Sequence, residues 1–170
     1  MAKSLLQREL QKKNPFDCPE QEVTLNLLRT ADFVSRAGHA LLERHGVSGP
    51  QYNVLRILRG HCETGLPCQK IVAQMITQMP DITRLVDRLE ASGLVWRERT
   101  EHDRRLVIVH ITAAGRDLLA QLDQPVLDLH RRQMKHMTRA ELAELNRLLE
   151  KLRRPVTEVV VRVRKKSCSP

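Results

Sequence analysis

ITQMPDITRLVDRLEASGLVWRERTEHDRRLVIVHIT, residues Ile76–Thr112, holds a helix, a stop and a charged hairpin within 37 residues. Ile82, Leu85, Val86 and Leu89 recur at offsets of three, four and seven, the spacing that lays one helical face on a core. Asp81, Thr83, Arg84, Asp87 and Arg88 fall on its other sides. Pro80 is expected in the first turn, where no internal N–H bond is lost. Gly93 follows as a left-handed cap, with Leu94 placed to fold back onto the last turn, so the helix should end near Ser92.

Past that stop, Val95–Thr100 and Leu106–Ile111 alternate apolar and charged residues, which predicts two antiparallel strands with one buried face. The Glu101–Arg105 turn between them has no apolar anchor and must project into solvent with two guanidinium groups at its tip. Arginines so placed suit a narrow, strongly negative groove. A helix followed by a basic hairpin is the winged helix pattern, in which the helix reads a major groove and the wing touches the neighbouring minor groove.

At these residues a resemblance becomes specific. Asp81–Val95, then Asp103-Arg104-Arg105, then Ile111-Thr-Ala-Ala-Gly-Arg116, is similar to the signature of the multiple antibiotic resistance regulator (MarR) family of bacterial transcription factors. The similarity extends more weakly from about Gln21 to Leu152 and includes Gly49-Pro-Gln-Tyr-Asn-Val-Leu55. It implies a mainly α protein with a small β wing: a winged helix-turn-helix plus helical dimerisation arms.

Composition sets bounds on this reading. A chain of 170 residues with 41% hydrophobic content builds one compact domain, or a small domain with an oligomerisation arm. Only 2% of residues are aromatic, which argues against stacking platforms for single-stranded nucleic acid. The net charge of +9 favours a polyanionic partner. Its location is uneven, because Leu66–Arg105 carries seven basic against six acidic residues and His130–Pro170 carries twelve against four. No signal-peptide core and no run of 18 apolar residues occur, and the four cysteines form no CxxC pair, so a cytoplasmic protein with free thiols and no membrane partner is expected.

In chain order, residues 1–19 read as a flexible arm broken by Asn14-Pro15 and Cys18-Pro19. A long helix covers Gln21–Arg44, with Gly46 ending it. Ser48 caps the next, with Pro50 in its first turn, Val54, Leu55 and Leu58 facing inward and Gly60 closing it. Leu66-Pro67 leads into a short helix with Ile71, Val72 and Met75 inward, and Ile76-Thr77-Gln78 makes the turn of a helix-turn-helix. Thr112 caps a helix to Met134, where Pro125 predicts a kink or break. Thr138-Arg-Ala-Glu141 is a capping box for a last helix through Leu152, which Pro155 should disturb. Val159–Val163 has no decisive period. The expected division is 48–112 for the winged helix domain, 20–47 and 113–158 for the dimerisation helices, and 159–170 for a basic C-terminal tail.

Site residues follow from these placements. Gln78, Met79, Asp81, Thr83 and Arg84 are expected nearest base edges, with Arg88 on the same exposed sides of the helix. Arg84 has two readings, a bidentate grip on guanine or a phosphate contact, and Asp81 is repelled by phosphate unless it accepts from cytosine or braces an arginine. The resemblance assigns Arg105 to the minor groove, Asp103 to holding the wing loop, and Arg104 to phosphate. Gln69 and Lys70 are expected on the DNA backbone, while Arg97 and Arg99, on the charged face of the first wing strand, either reach that backbone or are solvated. Cys68 stands where the family often has a capping hydroxyl.

Cys18 is a redox candidate because some family members sense oxidants near this point, although the sensing position aligns nearer Thr24 and Tyr52 is the only tyrosine. The seven histidines show no HExxH, and no catalytic or phosphate-loop motif occurs, so neither metal, cofactor nor enzyme activity is expected. The reading is a homodimeric, ligand-responsive repressor on an inverted-repeat operator, its partners being double-stranded DNA, a second copy and an unidentified small-molecule effector. Two alternatives use the same residues: a winged helix that binds an acidic protein, and an architectural DNA binder that depends on Arg162–Lys166.

Overall fold

Ser48 begins the head of the structure, a computed structural model that describes residues 3–77, 81–99 and 107–166, with side chains through 154. Its hydroxyl accepts the Gln51 N–H, and the Gln51 side-chain oxygen accepts the Ser48 N–H at 2.8 Å, closing a capping box with Pro50 in the first turn. The helix that follows is the third in the chain, after α1 (Leu5–Glu9) and α2 (Pro19–Glu43); α3 spans Gly49–Arg59. Val54, Leu55 and Leu58 on its inner face are fully buried. One core cluster joins them to Ile71 of α4 (Cys68–Gln74), to Leu85, Val86 and Leu89 of α5 (Ile82–Ala91), and to Leu119 of α6 (Ala113–Gln133). Val95, Val109 and Ile111 complete that cluster from strands β2 (Val95–Arg99) and β3 (Val107–Ile111).

The end of α5 is as its sequence predicts. Gly93 adopts φ 69°, its N–H donates to the Glu90 carbonyl at 2.8 Å and the Leu94 N–H donates to the Leu89 carbonyl at 3.0 Å. Its start is different: α5 opens at Ile82 with Asp81 as cap, after the first turn expected at Pro80. Gln78, Met79 and Pro80 themselves lie outside the described residues.

β2 and β3 pair antiparallel, Val95 with Ile111 through to Arg99 with Val107. A third strand escaped the sequence reading: β1, Leu66–Pro67, pairs with β3 to give the order β1-β3-β2. Two residues have no detectable period, and a proline is tolerated there because β1 is an edge strand. Gly65, at φ 60°, makes the close approach work, since a Cβ would sit 2.6 Å from Ile108 Cγ2 and 2.7 Å from the His110 ring.

Thr112 caps α6, its hydroxyl accepting the Gly115 N–H at 3.0 Å. Of the kink or break expected at Pro125, no break occurs, because α6 is continuous from Ala113 to Gln133. Leu122 and Val126, on either side of that proline, are buried with Leu42 and Val47. Burying two such side chains is worth roughly 1.5–3 kcal/mol each, enough to offset the ~3 kcal/mol that an internal proline costs. Asp123, on the same stretch, accepts both guanidinium N–H groups of Arg59 at 2.7 and 2.9 Å, which links α3 to α6. That bond, with the nearby Arg59 charge, holds the Asp123 carboxyl below its ordinary range and raises Arg59.

The N-terminal arm contains a short helix that packs. Ser4 caps α1 by accepting the Gln7 N–H at 3.2 Å, Leu6 is buried, and Glu9 pairs with Arg29 of α2 at 3.5 Å. A five-residue helix is too short to show a period, which is why the sequence reads there as an arm.

The chain forms two compact units, Met1–Leu129 and His130–Pro170. In the second, Thr138 and Glu141 close the expected box: the Glu141 carboxylate accepts the Thr138 N–H at 2.8 Å and the Thr138 hydroxyl accepts the Glu141 N–H at 3.3 Å. α7 then runs from Arg139 to Lys166. It passes through Pro155 and takes in Val159–Val163, so the segment expected as a tail from 159 is helical to Lys166. The apolar spacing 145, 149, 152, 156, 159, 163 continues the stripe beyond the proline.

Two predictions follow from this packing. Gly115 is buried, and a Cβ there would meet the Leu94 carbonyl and approach Ile111 Cγ1 to 2.8 Å. Gly115→Ala should therefore lose about 1–3 kcal/mol to overpacking despite alanine's better helix propensity, seen as a lower thermal midpoint. Asp123→Asn should cost about 1 kcal/mol at neutral pH, discounted for partial exposure. A lowered folded pKa gives stability that is complete above the unfolded value of about 4 and is lost as pH falls through the folded value. The gap in thermal midpoint between wild type and Asp123→Asn should thus be steady above about pH 5 and close in acid.

Candidate nucleic-acid interface

α4 and α5 form the helix-turn-helix, and α3 holds the turn between them. Met75 leaves α4 in an extended conformation, and the Ile76 N–H donates to Asn53 Oδ1 of α3 at 2.9 Å. This side-chain latch on the turn has no local signature in the sequence. Gln69 and Lys70, in the first turn of α4, are exposed. Cys68 opens that helix behind Pro67, with no side-chain cap, and burial pushes its thiol up despite the nearby Arg97 charge.

On α5, Leu85, Val86 and Leu89 are buried while Thr83, Arg84, Asp87 and Arg88 face solvent, as their spacing predicts. Asp81 does two things at the start of this helix. Its Oδ1 accepts the Arg84 N–H at 3.0 Å, and its Oδ2 pairs with Arg84 Nε at 3.0 Å. Of the readings open for this carboxylate, the structure shows it bracing an arginine. Arg84 nevertheless keeps 81% of its side chain exposed.

Arg97 corrects the sequence reading, since it is neither solvated nor on an outer charged face. It shares the inward side of β2 with buried Val95 and lies opposite buried Val109. Its guanidinium donates to Asp87 Oδ1 at 2.6 Å, Glu90 Oε2 at 2.9 Å and the Thr83 carbonyl at 3.4 Å, and only 24% of the side chain is exposed. The face opposite is taken by Trp96, stacked on its cross-strand partner His110 with centroids 4.3 Å apart, and by Glu98, 3.1 Å from His110 Nε2. A strand of alternating sides that sends tryptophan outward must send Arg97 inward, and two carboxylates of α5 meet it there. Arg99 is exposed and, with Cys68, Thr83, Glu90, Arg97 and Val107, lines a cleft of about 520 Å³ between α5 and the sheet.

Asp103, Arg104 and Arg105 lie outside the described residues. Cys18 is exposed at the cap position of α2. Among the described residues, no group of three or more His, Cys, Asp or Glu side chains is gathered as a metal site, and no helix is long and apolar enough to cross a membrane.

Known proteins to which this chain is similar include transcription regulators. A family model described as transcriptional regulator SarA/Rot matches residues 36–122. Over 104 residues the chain is 34% identical to the regulator TtmR of Methylorubrum extorquens (strain PA1), a match that covers 61% of this chain and 52% of that protein. Over 108 residues it is 32% identical to the multiple antibiotic resistance protein MarR of Escherichia coli (strain K12), covering 62% of this chain and 73% of that one. The crystal structure of a MarR transcription factor from Planctomyces limnophilus superposes with a TM-score of 0.64 at 41% identity, over 80% of this chain and 98% of that chain. The chain spans about half the length of TtmR. These matches, on a helix-turn-helix followed by the β2–β3 wing, place the chain in the MarR family of winged helix transcription regulators.

Proposed function

We propose that this protein is a homodimeric repressor that binds an inverted-repeat DNA site through α5 and the wing and releases it when a small molecule binds. The observation that carries the DNA reading is the outer face of α5, where Thr83, Arg84 and Arg88 stand in solvent on a helix whose opposite face is locked into the core. Thr83 and Arg84 are placed for base edges, Arg88 for the flanking backbone, and Gln69 and Lys70 for phosphates at the start of α4. Gln78, Met79, Arg104 and Arg105 extend this set by sequence, with Asp103 orienting the wing turn. A Staphylococcus aureus regulator of the same fold, MepR, has been solved as a complex with DNA, which supports DNA as the partner.

Dimerisation rests on uncovered apolar residues. α2 has 25 residues, yet only Leu42 is buried, while Val23, Leu27, Leu28 and Phe33 are 39–68% exposed. On α7, Leu145, Leu148 and Leu152 are 38–46% exposed. Helices of this kind draw their stability from packing, and a second copy would supply it. Repression is supported by the Pseudomonas putida relative IacR, a transcriptional repressor, 30% identical over 110 residues. Ligand response is supported by a regulator of this fold solved with 2,4-dichlorophenol bound. A ligand that prefers one separation of the two heads would shift the population away from the DNA-matched one.

The test is selection of genomic fragments by the purified protein, followed by titration of the enriched sequence. An inverted repeat should emerge, and Arg84→Ala should bind it about 10- to 100-fold more weakly if the contact is bidentate. Retention of all fragments alike by both proteins would contradict the proposal. Asp81→Asn preserves a good helix cap while removing the carboxylate. It should leave the thermal midpoint nearly unchanged and raise affinity for random DNA, and a fall in that affinity would show that the brace orients Arg84.

A further inference from the structure

We infer that Arg97 is a positioning residue that sets the angle of the wing on the reading helix, and not itself a DNA contact. The inference rests on the DNA-binding reading above and gives one of its residues a different task. The Arg97 side chain is among the least exposed of the ion-paired arginines, and it meets two carboxylates of one helix, Asp87 and Glu90, as well as the Thr83 carbonyl. A guanidinium with three of its five N–H groups engaged and its charge met by two carboxylates has less to offer a phosphate than the exposed Arg84.

Its position gives the contact leverage. Arg97 lies in the middle of β2, beyond the Gly93–Leu94 turn that already fixes the strand's base. Holding a strand at its base and again at its middle removes the hinge freedom that a two-stranded wing would otherwise have. The wing and α5 must enter neighbouring grooves together, so their mutual angle decides whether both sets of contacts form. Releasing Arg97 would also leave Asp87 and Glu90 without their cation, close to where phosphates approach.

The experiment uses the full chain and two kinds of variant. Arg97→Gln and Arg97→Lys remove or shorten the clamp from the wing side, and the pair Asp87→Asn with Glu90→Gln removes it from the helix side. Without DNA, hydrogen exchange at residues 95–99 and the fluorescence of Trp96, the single tryptophan, report the wing directly. With the enriched DNA, affinity is measured over a range of salt. Arg97→Gln is expected to speed exchange in β2 and weaken binding about ten-fold with the salt slope unchanged, and Arg97→Lys to recover part of the loss.

The Asp87→Asn, Glu90→Gln variant separates the explanations further. Removing two negative charges beside DNA raises affinity by simple electrostatics, whereas loss of the clamp lowers it, and a fall is expected. A rise would overturn the inference, as would a salt slope reduced by about one in Arg97→Gln, the sign of a lost phosphate contact. Should the wild type enrich no DNA, the functional reading fails while the exchange experiment still judges the clamp. Unaltered protection of β2 in Arg97→Gln would then overturn it.

Discussion

The junction at Gly93 and Leu94 is the constraint on which the head depends. Gly93 turns the chain out of α5 through a left-handed backbone, and its carbonyl accepts the Thr112 hydroxyl at 2.8 Å. The neighbouring Leu94 carbonyl accepts the Thr112 N–H at 3.1 Å, and Gly115 packs against it without a side chain. The end of the reading helix, the base of the wing and the start of α6 therefore meet within a few residues. A shift of any one of the three elements would break hydrogen bonds that tie it to the other two.

Local features of this junction are legible in the sequence because they are short-range. The Ile82, Leu85, Val86, Leu89 stripe, the Gly93 stop, the Ser48 cap and the Thr138–Glu141 box each involve residues three or four apart, and the structure has them all. What could not be read locally was set by partners on other elements. Strand β1 exists because β3 offers it an edge, α6 runs through Pro125 because Leu122 and Val126 are buried with Leu42 and Val47, and Arg97 turns inward because Asp87 and Glu90 wait on α5. The outer residues of the candidate site, Thr83, Arg84, Arg88 and Lys70, follow from helical spacing. Its inner supports, Asn53 on the Ile76 N–H and the Arg97 clamp, do not.

Charge is distributed in a way that bears on specificity. Within the head, Asp81 is matched by Arg84 and Asp87 by Arg97, so the reading helix offers little unopposed positive charge. The basic excess lies instead beyond His130. A nearly neutral reading surface gains little from counterion release on arbitrary DNA and must rely on base contacts and fit. Such a surface discriminates well only if helix and wing are held at the right angle, and the two tie points on β2, at its base and at Arg97, supply that.

Hydroxyl-radical footprinting of the full-length protein on an enriched DNA fragment tests the central claim most directly. Two protected patches on one face of the duplex, with centres about one helical turn or a multiple of it apart and flanking minor-groove protection, are predicted for paired heads. Protection spread evenly along the fragment, or a single patch at every protein concentration, would contradict the account.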